Sequence, residues 1–160
     1  MTNIKSATAA IVCASVHHGN SQKIAAAMAE SLGAVLLTVE EARGMEPSQF
    51  PLWGLGSGIY FGRHHRSLLQ LVDSWNQGPA AAFLFSTAGL SFLSPLQHSA
   101  LRRRLQRKGT RILGEFCCRG WDTVGPLWLM GGLNRRHPNE ADLQRAREFA
   151  RQFKEHRLGD

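Results

Sequence analysis

The sequence predicts an α/β fold in which helices cover both faces of a small parallel β-sheet. Five short apolar runs alternate with segments whose apolar residues recur at helical spacing. The runs are mainly apolar on both faces instead of alternating with polar residues, which is typical of strands buried on both faces of a sheet. Because parallel neighbours require a crossover of about helix length, the pattern indicates a doubly wound, three-layer α/β/α sandwich.

Strand and helix signals follow each other along the whole chain. The predicted strands cover residues 7–14, 34–39, 50–58, 80–85 and 110–118. The predicted helices cover residues 21–32, 68–75, 94–109 and 138–153. Ser94-Pro95 is typical of a helix start and Gly109 of a helix end. In the last helix, Asn139 is the expected N-cap, with Asp142 three residues later.

Length and composition favour one domain in a reducing compartment. The chain has 160 residues, 43% of them hydrophobic, which is enough for one core and too few for two ordinary domains. We therefore expect a single domain over residues 1–160, with its core between about residues 8 and 156. The three cysteines form neither a disulfide framework nor a C-x-x-C pair, so the cytoplasm is the expected location. No apolar run approaches the roughly 20 residues of a membrane span.

The charge balance is strongly basic. The formal net charge is +7 and the isoelectric point is near 10.2, which favours a polyanionic partner. The densest cationic cluster, residues 101–109, places its arginines opposite Leu101 and Leu105, as an ordinary solvated helix does. No RNP-like, zinc-finger or helix-turn-helix signature accompanies it, so we do not expect nucleic acid as the partner.

The segment after the first predicted strand has the composition of a phosphate site. A helix N-terminus offers unpaired N–H groups and the positive end of its dipole, and glycine allows a close approach. In doubly wound sheets, ligands bind beyond the carboxyl ends of the strands, where this segment lies. The alternative is that Asn20 or Ser21 caps the helix and that the histidines face solvent. The candidate phosphate-binding residues are Ser15, His17, His18, Gly19, Asn20 and Ser21.

Two more segments at strand ends share this character, and together the motifs resemble a known family. Glycines flank an aromatic pair in "GSGIYFGRHH" at residues 56–65, and "FSTAGLS" at residues 85–91 is small and polar with amides that we expect to be exposed. The chain resembles the flavodoxin family, specifically its short bacterial and archaeal flavodoxin-like members, in which a strand leads into a Ser…His-Gly-Asn-Thr/Ser phosphate loop. The later segments "GEFCCRGWDTVGP" and "GGLNRRHPNEADLQRAREFA" are similar to that group as well. The resemblance extends from about Thr8 to Phe153.

The resemblance implies a five-stranded parallel sheet of order 2-1-3-4-5 with FMN at its carboxyl edge. Residues 15–21 then correspond to the phosphate loop. The residues that would flank the isoalloxazine ring are Ser57, Gly58, Ile59, Tyr60, Phe61 and Gly62, together with Ser86, Thr87, Ala88 and Gly89. Arg119 and Trp121 would border the ring or close the site. Tyr60 or Phe61 would stack on the ring, unless the pair is a hydrophobic plug under the loop.

The function implied by the resemblance is that of an FMN-binding redox protein. It is either an electron carrier or a small flavin-dependent oxidoreductase of the NAD(P)H:quinone type, with a redox partner protein or a small-molecule electron acceptor. The basic charge departs from the acidic character of long-chain flavodoxins, so an acidic partner is expected. The alternative is a flavin-free, flavodoxin-like basic module that binds an acidic partner.

Other chemistries have weaker support in the sequence. The histidine pairs at 17–18 and 64–65 are adjacent residues whose side chains point apart, so we expect no metal site. A nucleophilic hydrolase would need G-x-S-x-G, but Leu55 and Ile59 occupy the glycine positions around Ser57. The glycines of the third strand also miss the spacing of a dinucleotide fingerprint.

Overall fold

The computed structural model describes residues 4, 7–15, 19–89, 93–119 and 137–154. In that part of the chain, helices cover both faces of one sheet. The strands are β1 (Ala9–Ala14), β2 (Val35–Leu37), β3 (Leu52–Tyr60), β4 (Arg63–His64), β5 (Ala81–Ala88) and β6 (Arg111–Arg119). The helices are α1 (Asn20–Leu32), α2 (Val39–Arg43), α3 (Arg66–Ser74), α4 (Ser94–Gln97), α5 (Ser99–Arg107) and α6 (Glu140–Arg151), with a 3-10 turn at Pro47–Gln49.

The sheet has the order β2-β1-β3-β5-β6, and all of these neighbours are parallel. The short strand β4 pairs only with β3, antiparallel, as the second arm of a hairpin. With β4 set aside, this is the predicted order 2-1-3-4-5, and the predicted three-layer α/β/α architecture is confirmed. All five parallel strands therefore end at one edge of the sheet.

Two apolar cores lie on the two faces of the sheet. Side chains such as Trp53 and Leu84 pack against α2, α3 and α5 on one face. On the other face, Phe83 and Phe85 pack against α1 and α6. This double burial explains why the strands are mainly apolar on both faces rather than alternating. Among the described helices, none is both long enough and apolar enough to cross a membrane.

Several predicted boundaries were wrong. Strand β5 continues through Ser86, Thr87 and Ala88, which are buried. Ser86 and Thr87 pair with both β3 and β6, and Ala88 pairs with β6. They belong to the sheet and do not form the exposed loop that their small, polar composition predicted. The short helix α2 was also missed, because its five residues are too few to show a helical period.

The predicted helix over residues 94–109 is two helices that meet at His98. The His98 side chain is fully buried and is hydrogen-bonded to the sheet. The predicted start of the last helix is confirmed, because the side chain of Asn139 accepts from the backbone N–H of Asp142 in a capping box.

Candidate functional site

The carboxyl edge of the sheet collects most of the predicted site residues. In the register of the sheet, Ala14 lies beside Ser57, Ser57 beside Ser86, and Ser86 beside Cys117. Ser15 follows β1, and Arg119 ends β6 with its side chain exposed. His17, His18 and Trp121 lie outside the described residues.

Helix α1 begins at this edge without a side-chain cap. Its N-cap is Gly19, in the left-handed conformation with φ 64°, and the first turn contains no acidic residue. Asn20 and Ser21 are the first two helical residues and are 7% and 2% exposed. The alternative that one of them is the cap is therefore wrong. The first N–H groups of α1 have no partner within the helix, and the positive end of its dipole points to this edge.

Helices α2, α3 and α6 begin with a side-chain cap, whereas α4 and α5, like α1, begin without one. Helix α2 starts with a capping box between Thr38 and Glu41, and α6 starts with one between Asn139 and Asp142. In both cases, a side-chain oxygen and a carboxylate satisfy the first turn. Helix α1 thus has an N-terminus whose electrostatic character favours an anion from outside the helix.

Ser21 joins α1 to the middle of the sheet. Its hydroxyl lies 2.8 Å from the hydroxyl of Thr87, and both side chains are buried. Thr87 is in turn the register neighbour of Gly58 on β3. The start of α1 and the ends of β3 and β5 therefore form one connected unit.

The β3–β4 hairpin extends beyond the sheet edge. Its two turn residues, Phe61 and Gly62, have φ of 50° and 76°, as in a type I′ turn, which prefers Asn or Gly at both positions. Phenylalanine is unfavourable there by roughly 1–3 kcal/mol, yet the Phe61 side chain is 96% exposed. Tyr60 packs edge-on against His65, with ring centroids 5.3 Å apart. The hairpin therefore presents a free aromatic ring at its tip.

Ser57 and His64 form a closed hydrogen-bond arrangement at the base of this hairpin. The Ser57 hydroxyl donates to the Gly58 carbonyl at 2.6 Å and accepts the backbone N–H of His65 at 2.9 Å. Its remaining lone pair faces His64 Nδ1 at 2.9 Å, so Nδ1 carries the proton. Nε2 is then a bare acceptor, and this buried atom has no hydrogen-bond partner among the residues that the structure describes. Burial lowers the pKa of His64 to about 3, so the ring is neutral.

A second buried network continues from the next strand. Ser86 Oγ lies 2.7 Å from His98 Nε2, and His98 Nδ1 lies 3.1 Å from Glu115 Oε2 on β6. Arg102 Nε contacts the other oxygen of Glu115 at 2.5 Å. Burial lowers the pKa of His98, and Glu115 opposes that effect only in part. Burial also tends to raise the pKa of Glu115, but Arg102 and His98 outweigh it and hold that pKa below its ordinary value.

Ser86, His98 and Glu115 are connected in the same order as the serine, histidine and carboxylate of a hydrolase triad. Ser86 is fully buried, however, so its oxygen does not face a substrate. The network instead fixes the junction between α4 and α5 to the sheet edge. Sequence patterns did not identify His98 or Glu115 as part of the site. The sequence did contain one signal for Glu115. It is a carboxylate inside a largely apolar predicted strand, and a carboxylate that becomes buried needs a charged or hydrogen-bonding partner.

The adjacent cysteines at the end of β6 are not activated thiols. Burial raises the pKa of both Cys117 and Cys118, which keeps them protonated near neutral pH. Within the described ranges, no three histidine, cysteine or acidic side chains are grouped so as to hold a metal ion. The histidines at 17 and 18 lie outside those ranges, so the expectation about them stays a prediction.

The sheet order and its open carboxyl edge define a flavodoxin-like fold. The oxidised Flavodoxin 2 of Bacillus cereus superposes with a TM-score of 0.64 at 17% identity, covering 94% of this chain and 99% of that chain. A flavoprotein of Lactobacillus acidophilus in complex with FMN has a TM-score of 0.55 at 13% identity, covering 70% of this chain and 93% of that chain. At such identities, the likeness concerns the fold.

In sequence, the chain is 45% identical over 143 residues to the uncharacterized protein MJ0298 of Methanocaldococcus jannaschii. The match covers 89% of this chain and 95% of the archaeal protein. The chain therefore belongs to the same family as that archaeal protein. No protein-family model matches the chain.

Proposed function

We propose that this protein binds FMN at the carboxyl edge of the sheet and acts as a flavodoxin-like redox protein. The observation that carries the proposal is the start of α1, where a helix of 13 residues begins at the left-handed Gly19 with no side-chain cap and no acidic residue in its first turn. The FMN-bound flavoprotein of Lactobacillus acidophilus supports the choice of ligand, because it shares this fold.

The donors at this edge fit a terminal phosphate. The backbone N–H groups of the first turn of α1 and the half-buried Ser15 would bind phosphate oxygens. The Ser21 hydroxyl is buried against Thr87, so its proposed role is to hold the start of the helix in position. Gly19 would allow the phosphate to approach the backbone, and its left-handed φ disfavours any other residue.

The isoalloxazine ring would lie between the hairpin and the end of β5. Residues 57–62 and residues 86–89 would flank it, and Arg119 would border it from β6. Tyr60 is held against His65, whereas the exposed Phe61 ring is free to close over a bound ring. Bound FMN supplies one- or two-electron transfer, and the chain supplies the phosphate site, the ring position and exclusion of water. The electrons would pass to a redox partner protein or to a small-molecule acceptor.

Calorimetric titration with FMN and riboflavin tests the phosphate assignment. We expect FMN to bind and riboflavin to bind far more weakly, because riboflavin lacks the phosphate. Equal affinities would contradict the assignment. A colourless protein with no affinity for either flavin would favour the flavin-free basic module instead.

The change Asn20→Asp tests the same site from the protein side. A carboxylate about 5 Å from a phosphate charge repels it by about 1.7 kcal/mol at an effective dielectric constant of about 40, so FMN should bind at least tenfold more weakly. The matched control is Asn76→Asp, the same change on an exposed residue that follows α3, at the opposite edge of the sheet. An unchanged dissociation constant for Asn20→Asp would contradict the proposal.

A further inference from the structure

A cavity of about 840 Å³ lies beside the β3–β4 hairpin, between the hairpin and α3. Its walls include Tyr60 and Leu69, and Arg104 of α5 closes one side. No described residue of β1, β5 or β6 lines it. The cavity is therefore separate from the start of α1, and its volume is typical of sites for small organic ligands.

The charges around the cavity do not balance. Arg63, Arg66 and Arg104 line it, together with a single carboxylate, Asp73. Asp73 Oδ1 accepts from Arg104 Nε at 3.0 Å. Among the described residues, no carboxylate is paired with Arg63 or Arg66, and both side chains are exposed. Two guanidinium groups are thus available to an anion at the cavity.

A buried histidine, His64, forms part of the wall of the same cavity and is 1% exposed. Its Nδ1 contacts Ser57, and its Nε2 has no hydrogen-bond partner among the described residues. Nε2 is enclosed by protein atoms. The cavity surface that a ligand reaches is therefore formed by the arginines together with Tyr60 and Leu69, and not by a polar atom of His64.

We propose that this cavity binds an aromatic heterocycle of mononucleotide size that carries a phosphate group. Arg63 and Arg66 would bind the phosphate, because guanidinium groups match phosphate oxygens in bidentate geometry. Tyr60 and Leu69 would contact the ring. Tyr60 and Phe61 line this cavity and are also among the residues proposed to flank the flavin ring, so the two sites would meet at the hairpin. The phosphate contacts of Arg63 and Arg66 go beyond the proposed flavin site and do not depend on it.

Calorimetry on the purified full chain tests this inference with AMP, adenosine and inorganic phosphate as probes. We expect AMP to bind at least tenfold more tightly than either fragment. Arg66→Gln is expected to weaken AMP binding at least tenfold. The matched control is Arg103→Gln, an exposed arginine of α5 that does not line the cavity, and it is expected to leave AMP binding unchanged.

Three results would overturn the inference. These are no binding of AMP, binding of inorganic phosphate alone as tight as that of AMP, and a loss of AMP affinity in Arg103→Gln as large as that in Arg66→Gln. A competition experiment separates this site from the flavin site. If FMN displaces AMP and Arg66→Gln weakens both ligands equally, the cavity is the flavin site. If FMN does not bind at all while AMP does, the proposed function fails and the cavity site stands.

Discussion

At the scale of single residues, two histidines are buried just behind the carboxyl edge of the sheet and make hydrogen bonds there. The rings of His64 and His98 lie 4.9 Å apart between centroids. Each is hydrogen-bonded to a serine, and these serines, Ser57 and Ser86, are register neighbours on adjacent strands. Buried imidazoles at this distance disfavour protonation, both through desolvation and through mutual repulsion.

Stability should therefore fall as the pH drops below 6.5. Burial lowers the pKa of His64 from 6.5 to about 3. Between those values, the unfolded chain takes up a proton that the folded protein does not. The free energy of unfolding then decreases as the pH falls, by up to about 1.4 kcal/mol per pH unit for one group. Urea unfolding between pH 7 and pH 5 measures this slope. This range is chosen because it lies above the ordinary pKa of a glutamate such as Glu115.

The variant His64→Asn should flatten that slope, because it removes one of the two buried imidazoles. His65→Asn is the matched control: it changes the neighbouring, half-buried histidine and keeps an acceptor for the backbone N–H of Ser67. We expect His65→Asn to retain the slope of the unmodified protein. Equal slopes for His64→Asn and the unmodified protein would contradict this account.

At the scale of elements, the glycines of β3 accommodate aromatic side chains of β5. A Cβ atom added at Gly54 would lie 2.4 Å from a ring atom of Phe83, and one added at Gly56 would lie 2.3 Å from a ring atom of Phe85. Both distances are far below van der Waals contact. These glycines therefore serve the packing of the sheet face against α1 and α6.

Gly56→Ala is expected to lower the free energy of unfolding by about 1–3 kcal/mol, because the added methyl group forces the Phe85 ring to move. Adding Phe85→Leu should recover part of this loss. Gly44→Ala is the control, since its added Cβ would lie 3.9 Å from the backbone carbonyl oxygen of Glu41, which is ordinary contact, and its φ is −86°. Urea unfolding of the four proteins tests the assignment, and equal effects at positions 44 and 56 would contradict it.

At the scale of the whole molecule, the net charge is +7. The arginines of α5 that contribute to it do not all lie in the same environment. The prediction that residues 101–109 form an ordinary solvated helix was correct for Leu101 and Leu105, which are buried, and wrong for part of the arginine run. Arg102 binds Glu115 and Arg104 binds Asp73. Arg103 and Arg107 remain exposed, with no carboxylate partner among the described residues.

Electron transfer to an anionic acceptor should therefore slow with salt, and the exposed arginines should account for part of that effect. The Debye length falls from about 30 Å at 0.01 M salt to about 10 Å at 0.1 M. Stopped-flow reduction of ferricyanide by the FMN-loaded, reduced protein measures the rate at both salt concentrations. The double variant Arg103→Gln, Arg107→Gln should show a smaller salt dependence. The same slope in both proteins would mean that these arginines do not steer the acceptor.

The amino-acid sequence by itself determined the fold class and which segments reach the carboxyl edge of the sheet. Periodicity is a local property, so strands apolar on both faces and helices with one apolar face were visible in the chain. The order of strand and helix then required a parallel sheet whose carboxyl ends meet at one edge. The start of α1 was visible for the same reason, although the cap proved to be Gly19 rather than Asn20 or Ser21.

Tertiary structure alone decided which polar residues meet at that edge. Ser86 and Thr87 were expected in an exposed loop, but pairing with β3 and β6 buries them. The contact between Ser21 and Thr87 spans 66 positions in the chain, and that between His98 and Glu115 spans 17. No local pattern encodes such pairs, because they depend on strand register and on how the helices pack. The cavity beside α3 likewise exists only because the hairpin, α3 and α5 come together in the folded chain.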